Sequence, residues 1–302
     1  MSVATRTARE VTSTVATGRS KDRTLVSLVF LGLLWFSLFF GVMVLLVLII
    51  STAIDGAPRF DSALLTEYSS RVRPETTGFR AGILGTAWLM LFTALFAVPL
   101  GIAAALYLEE FASKDRWWNR LIEVNLQNLA AVPSIVYGLL AVAVMGLLGF
   151  GRTGIVLGGA IALALLILPV IIITTREAVR AVPQDIRQGS LALGATVWQT
   201  TWRQTLPSAI PGIATGTILG LSRAIGEAAP LIVVGLAGAV RFDPQGILSE
   251  ITALPMQIYS LTSQSQADFQ TAASAAIIVL LIMILGLNAL AIFIRSKFQR
   301  SW

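Results

Sequence analysis

The 302-residue chain contains no cysteine and no histidine. Disulfides, thiol nucleophiles, Cys/His zinc sites and imidazole acid–base chemistry are thereby excluded, and the redox compartment stays open. Charge is the next scarcity: 13% of residues are Asp, Glu, Lys or Arg and 56% are hydrophobic, against about 25% and about 45–50% in soluble domains. Lysine is almost missing. Lys21, Lys114 and Lys297 each follow a serine, so the Gly-Lys-Ser/Thr core of a phosphate-cradling ATPase loop is absent. What charge there is leans basic, with 22 Lys plus Arg against 16 Asp plus Glu and a net of +6. Such an excess suits nucleic acid, an anionic membrane surface or a topology signal.

What is present is apolar length. Charge-free runs occupy residues 24–54, 81–108, 124–151, 153–175 and 269–294, and a further run, 204–240, is interrupted only by Arg223 and Glu227. A hydrocarbon core about 30 Å thick needs about 20 residues of helix, so these runs predict six transmembrane helices and an all-α membrane protein. A lipid-embedded barrel would need alternating strands of about 10 residues, and these runs are apolar on every face. The first run follows Arg19, Lys21 and Arg23 as a signal peptide would, yet it is far longer than the about 7–15 apolar residues of one.

The predicted organisation is a disordered, Thr/Ser/Arg-rich cytoplasmic tail (1–23), a first transmembrane helix (24–54), an outside loop (55–80), a five-helix transmembrane domain (81–296) and a cytoplasmic C-terminus (297–302). A long inside connection (176–206) lies within the domain, and residues 241–268 form a second outside connection. With the N-terminus inside, Lys and Arg divide fifteen inside to six outside, Arg223 aside, which fits the cytoplasmic excess of positive charge. The basic excess is then an orientation signal and not a nucleic-acid footprint.

The inside connection is long for a helix hairpin. Pro183 suits a first helical turn, Gly194 a left-handed helix end, and Thr196 the cap of a second short helix that Pro207 stops. The pattern predicts a short helix, a glycine turn and another short helix at the cytoplasmic surface, with Trp198 and Trp202 at headgroup level. It reads equally as an interfacial hairpin without a partner or as a docking element for the groove of a cytoplasmic protein.

Gly194-Ala195, ten residues, then Leu206-Pro207 resembles the cytoplasmic loop of type I ABC importer permeases. In that family the loop opens Glu-Ala-Ala and forms the coupling helix seated in the ATPase subunit. Here the aligned residues are Gln188-Gly189-Ser190, which removes an acidic contact and keeps the helix. Three further segments extend the likeness over about residues 80–296: Gly101 to Phe111, Pro133-Ser134-Ile135-Val136-Tyr137-Gly138, and Ser222-Arg223-Ala224-Ile225-Gly226-Glu227-Ala228-Ala229-Pro230. Together they resemble the phosphate importer permeases. Leu108-Glu109-Glu110-Phe111-Ala112, Gln257-Ile258-Tyr259 and Phe269-Gln270 resemble the A-type of that family's two paired chains. The resemblance implies the type I importer permease fold and a coupling loop containing Gln188, Gly189, Ser190, Gly194, Ala195, Leu206 and Pro207. It also implies a C-type permease partner, a dimer of ATP-binding subunits that leaves this chain without a cofactor of its own, an external phosphate-binding protein, and residence in a prokaryotic plasma membrane. Sulfate or molybdate is the alternative cargo.

Arg223 and Glu227 are the only charges within the six runs. Four residues apart on a helix, they share a face, and a charge at mid-bilayer costs about 2.5–3.5 kcal/mol on insertion scales. One reading is a structural ion pair. The other is an anion pathway, in which the permanently charged fork of Arg223 grips oxyanion oxygens while Glu227 holds Arg223 in the empty state or accepts a proton from protonated phosphate. Pro230 predicts a kink just beyond. Pro133 and Ser134 pose a similar choice, packing kink or substrate contact, and Gly138, Gly146, Gly158 and Gly159 are read as close helix approaches.

Three functions compete. A permease subunit of an ATP-driven importer uses every motif. An ion-coupled transporter working alone has only one Glu and one Arg as a relay, and a membrane enzyme lacks a paired acid–base set or metal cluster. The topology has a direct check. A reporter that works only outside the cell, fused after Trp302, is expected to be silent; activity there overturns the inside placement of the C-terminus.

Overall fold

The computed structural model describes residues 25–70, 72–113 and 116–298. The expected cytoplasmic tail (1–23) and residues 299–302 lie outside this range. The chain divides into two compact units, residues 1–51 and 52–302. The described part of the first is helix α1 (Leu25–Gly56) as far as Ser51. Its 32 residues rise about 48 Å at 1.5 Å each, longer than the hydrocarbon core.

The second unit contains α2 (Arg80–Leu106), α3 (Trp117–Ala130), α4 (Ser134–Leu147), α5 (Val156–Arg180), α6 (Gln184–Ala192), α7 (Val197–Thr200), α8 (Leu206–Ile225), α9 (Ala229–Val234), α10 (Leu254–Thr262) and α11 (Ala267–Phe298). Among the described residues there is no strand, only an isolated bridge between Ile155 and Glu250. By length and composition, α1, α2, α5 and α11 are long and apolar enough to cross a membrane.

Two of the six runs expected as transmembrane helices are not single continuous helices. In 124–151, α3 and α4 meet at 116°. α4 has 14 residues, about 21 Å of helix, too short alone for about 30 Å of hydrocarbon. Pro133 is the physical cause. It disfavours helical geometry at Val132, and with φ −55° and ψ 138° it caps α4 instead of kinking a continuous helix. Counting the bent pair as one span gives five. The 204–240 run is broken into α8 and α9 at residues 226–228. α8 has 20 residues, but Ser208, Thr215, Thr217, Ser222 and Arg223 make it too polar to pass as a lipid-facing span.

Residues 241–268, expected as an outside connection, do not simply run over the surface. Residues 251–257 are all buried, and α10 packs against α2 and α11. The first free N–H of α10, on Leu254, donates to Thr86 Oγ1 at 2.9 Å, and that hydroxyl donates to the Gly82 carbonyl at 2.7 Å. One buried threonine thereby satisfies a helix end inside the core.

α5 is central, with α2 on one side and α8 on another. Leu89, Leu163, Leu166, Ile167, Ile171 and Leu231 form the fully buried heart of this packing. α8 reaches α5 through Gly212, Gly216 and Gly220, three glycines four residues apart on one face. A Cβ built on Gly216 would lie 2.0 Å from Thr174 Oγ1, and one on Gly212 would lie 2.6 Å from Ala178 Cβ. Gly138 does the same for α4 against α9, since a Cβ there would lie 2.7 Å from the Pro230 carbonyl oxygen. Gly158 and Gly159 likewise meet close neighbours, whereas Gly146 has nothing within 4 Å, so the expected close approach is not made there.

Gly138→Ala is expected to lower the stability of the detergent-purified protein by about 1–3 kcal/mol through overpacking. Gly146→Ala, in the same helix, is expected to be neutral or stabilising by up to about 1 kcal/mol. Equal melting temperatures for the two variants would contradict this packing.

Candidate functional site

The sequence places Arg223 and Glu227 on one helix; the structure does not. α8 ends at Ile225, Gly226 caps it, and Glu227 stands in the break, its N–H donating to the Ala224 carbonyl at 3.2 Å. Pro230 lies in the first turn of α9, where its missing N–H costs nothing, so the expected kink is a full helix break. The ion pair survives across the helix end. Arg223 Nε is 3.6 Å from Glu227 Oε1, with side chains 42% and 24% exposed. At that separation charge holds the pair without a hydrogen bond.

Beside it, Ser222 Oγ lies between the Ile218 carbonyl, at 2.6 Å, and Asn288 Oδ1 of α11. Sequence reasoning missed Asn288. The signal was available: it is the only polar side chain between Ala275 and Ile294, and such a residue in an apolar span seeks a partner on another helix. Ser222 and Asn288 line a cavity of about 570 Å³ with Met90, Ile218 and Ile225. A larger cavity of about 1030 Å³ continues along α8, walled by Ile102, Tyr107, Trp202, Thr217 and Arg295 among others. Ser134, half-buried, opens α4 one turn before Gly138. Among the described residues it makes no hydrogen bond with Arg223 or Glu227.

The inside connection folds as α6, a glycine turn and α7. Pro183 caps α6, and Gly194 takes φ +84°, a left-handed conformation that side chains resist. Thr196 forms a reciprocal capping box with Gln199. Gln188 and Gly189 are exposed, and Ser190 Oγ is 2.9 Å from Thr200 Oγ1, tying α6 to α7. Ala195 closes the turn through its N–H to the Ser190 carbonyl at 3.3 Å.

Pro207 does not stop the second helix. A π-helical turn, Thr201–Thr205, leads straight into α8, and Leu206 and Pro207 form its first turn. The wider turn accommodates a proline that has no N–H and crowds the carbonyl four residues back. Trp198 stacks near both Phe111, at 5.8 Å between ring centroids, and Trp202, at 5.4 Å.

A cluster of charges beneath this loop went unread in the sequence, where its arginines served only as topology counts. Glu109 and Glu110 lie on a π-helical turn, Tyr107–Phe111, that ends α2. Glu109 takes Arg180 Nε at 2.9 Å and Arg176 Nε at 3.3 Å. Glu123 of α3 takes Arg176 Nη2 at 2.9 Å and Arg180 Nη2 at 3.5 Å. Glu110 takes Arg187 Nη2 of α6 at 3.0 Å. At the opposite end of the unit, Asp243 joins the connections that precede α2 and follow α9, accepting from Arg80 Nη2 at 2.6 Å and Tyr68 Oη at 3.2 Å. The Arg80 hydrogen bond holds the Asp243 carboxyl below the usual carboxylate range. A depressed value keeps this tie intact at neutral pH and releases it only as pH falls through it.

Residues 97–301 match the family described as binding-protein-dependent transport system inner membrane component. The phosphate transport system permease protein PstA of Yersinia pestis is 31% identical over 261 residues, 86% of this chain and 87% of that one. PstA of Mycobacterium leprae is 34% identical over 249 residues, 81% and 79% of the two chains. Among solved structures, an inward-facing MetNI methionine ABC transporter aligns with a TM-score of 0.58 at 17% identity, covering 73% of this chain and 95% of that one. A bacterial ABC transporter that imports alginate gives the same TM-score and identity over 95% and 99%. These structures establish the fold, that of type I ABC importer permeases. The chain belongs to the binding-protein-dependent transport system inner membrane components, multi-pass membrane proteins that serve as transport subunits.

Proposed function

We propose that the chain is one of two permease subunits of an ATP-driven importer of inorganic phosphate. The observation that carries this reading is the similarity to phosphate transport permeases over most of the chain. In this reading α6, the Gly194–Ala195 turn and α7 dock into a cleft of an ATP-binding subunit, which brings the ATP. Leu191, Leu193 and Trp198 stand exposed there, and apolar side chains of this kind suit a groove in another protein. Gln188 offers that groove a neutral polar contact. Leu206 and Pro207 splice the loop to α8, so its displacement reaches the break at residues 226–228.

Arg223, loosely held by Glu227, takes phosphate oxygens through its planar fork and returns to Glu227 on release. Glu227 also accepts a hydrogen bond from the hydroxyl of a protonated phosphate, which fully deprotonated sulfate has no proton to donate. Ser134 adds a hydroxyl to the path from α4. A C-type permease chain supplies the other half of the path. An external phosphate-binding protein loads it at the outer connections, and both chain ends face the cytoplasm.

The test is reconstitution of the chain with its companion permease, ATPase and binding protein in liposomes. ATP hydrolysis is expected to rise with phosphate-loaded binding protein and not with sulfate. Gradient-driven transport by the isolated chain without ATP, or equal stimulation by sulfate, would overturn the reading. Arg223→Gln is expected to cut phosphate uptake about 10–100-fold, the loss of one or two charge-assisted hydrogen bonds, with the complex still assembled. Wild-type uptake by that variant removes Arg223 from the path.

A further inference from the structure

The helix α6 has a weak grip on the rest of the molecule. None of its residues is buried. Ile186 touches the apolar cluster of Leu106, Val179, Val182, Ala209 and Ile213 only in part. Ser190 ties α6 to α7, which belongs to the same loop. Toward α5, the chain leaves α6 through Pro183, extended at ψ 137°. Apolar contacts of this kind slide, because they are non-directional.

One side chain is held differently. Arg187 donates through Nη2 to the Val179 carbonyl at 2.6 Å and pairs with Glu110 Oε1 at 3.0 Å. The two side chains are 15% and 9% exposed. Glu110 Oε1 is buried and meets the guanidinium by charge and not by a hydrogen bond, and a charge pair shielded from water keeps its strength. Glu110 in turn sits on the π turn that ends α2, beside Glu109, which Arg176 and Arg180 clamp to α5. The inner ends of α2 and α5 therefore form one charge-tied block. Among the described residues, Arg187 is the only charged side chain of α6 that joins it. Further along α2, Val98, Ile102 and Leu106 wall the larger cavity.

We propose that the Glu110–Arg187 pair is the joint that passes movement of α6 to α2. Both residues are then positioning residues for coupling ATP hydrolysis to transport. The inference rests on the reading that α6 docks on an ATPase. It adds where the push enters the spans: through α2, by one salt bridge, as well as along the continuous path into α8.

The experiment uses the full complex in liposomes and reads phosphate moved per ATP hydrolysed. Arg187→Gln and Glu110→Gln are each expected to lower this ratio about fivefold, within the range that coupled neighbours show, with ATP hydrolysis near the wild-type rate. The double variant is expected to be no worse than either single one, because the two groups act as a unit. If either glutamine variant fails to assemble, Arg187→Lys and Glu110→Asp replace it. They keep both charges, shorten the reach and are read by the same ratio. Single variants at the wild-type ratio overturn the joint, as do losses of transport and hydrolysis in equal proportion, or additive losses in the double variant. A wild-type complex that ignores phosphate would instead sink the transport reading itself, so the two failures are distinct.

Discussion

The close approach of α8 to α5 is the contact on which both candidate sites depend. α8 carries Thr215, Thr217, Ser222 and Arg223, and a helix so polar is expensive against lipid. Its glycine face is held inward, Gly212 on Ala178, Gly216 on Thr174 and Gly220 on Ile171 of α5, while Thr215 and Arg223 stay exposed. That packing fixes the first turns of α8, where the α6–α7 loop enters, and the last, where the helix breaks beside Glu227. A single rigid rod thus has the loop at one terminus and the charge pair at the other. Displacement at the first has a direct line to the second.

The two sets of ion pairs in this unit contrast in kind. Beneath the α6–α7 loop the carboxylates of Glu109, Glu110, Glu123 and Glu177 meet three guanidiniums within a few ångströms, and Glu109 keeps only 5% of its side chain exposed. Glu109, Glu123, Arg176 and Arg180 each have more than one partner there, and Arg187 adds a backbone acceptor, which offsets their desolvation. Arg223 and Glu227 have neither the density nor the short distance. A cluster of the first kind resists separation, whereas a pair of the second kind exchanges partners readily.

Much of the fold was legible in the sequence. The absence of charge located the apolar helices, and Pro183, Gly194 and Thr196 marked the loop residue by residue, because caps and left-handed glycines are local properties. Pro207 misled, since a proline stops a helix only if the turn before it keeps α geometry, and Thr201–Thr205 widens instead. The breaks at 131–133 and 226–228 were hidden by composition: a charge-free run reports where lipid or core is tolerated and says nothing about continuity. The inner charge cluster was illegible for another reason. Glu109, Glu123, Arg176 and Arg187 are far apart in the chain, and their meeting is fixed by helix packing that spacing does not encode. Asn288 and the glycine stripe, by contrast, announced themselves by position and were passed over.

The π turn between α7 and α8 has a consequence of phase. A helix advances about 100° per residue, but a π turn winds about one more residue into the turn, so the extra residue at Thr201–Thr205 is absorbed there and the faces on either side keep nearly the same angular register. Leu206 N–H bonds back to the Thr201 carbonyl, five residues away, and from there the screw runs on to Gly212. The direction in which Trp198 and Trp202 point is therefore offset from the glycine face by a count of residues and not by any side-chain contact. The loop and the rod are geared at a set angle: one residue removed from Thr201–Thr205 would close the wide turn into an α turn and leave the Trp198 and Trp202 face nearly where it was, whereas one removed from the α-helical stretch 206–211 would turn that face roughly 100° about the α8 axis.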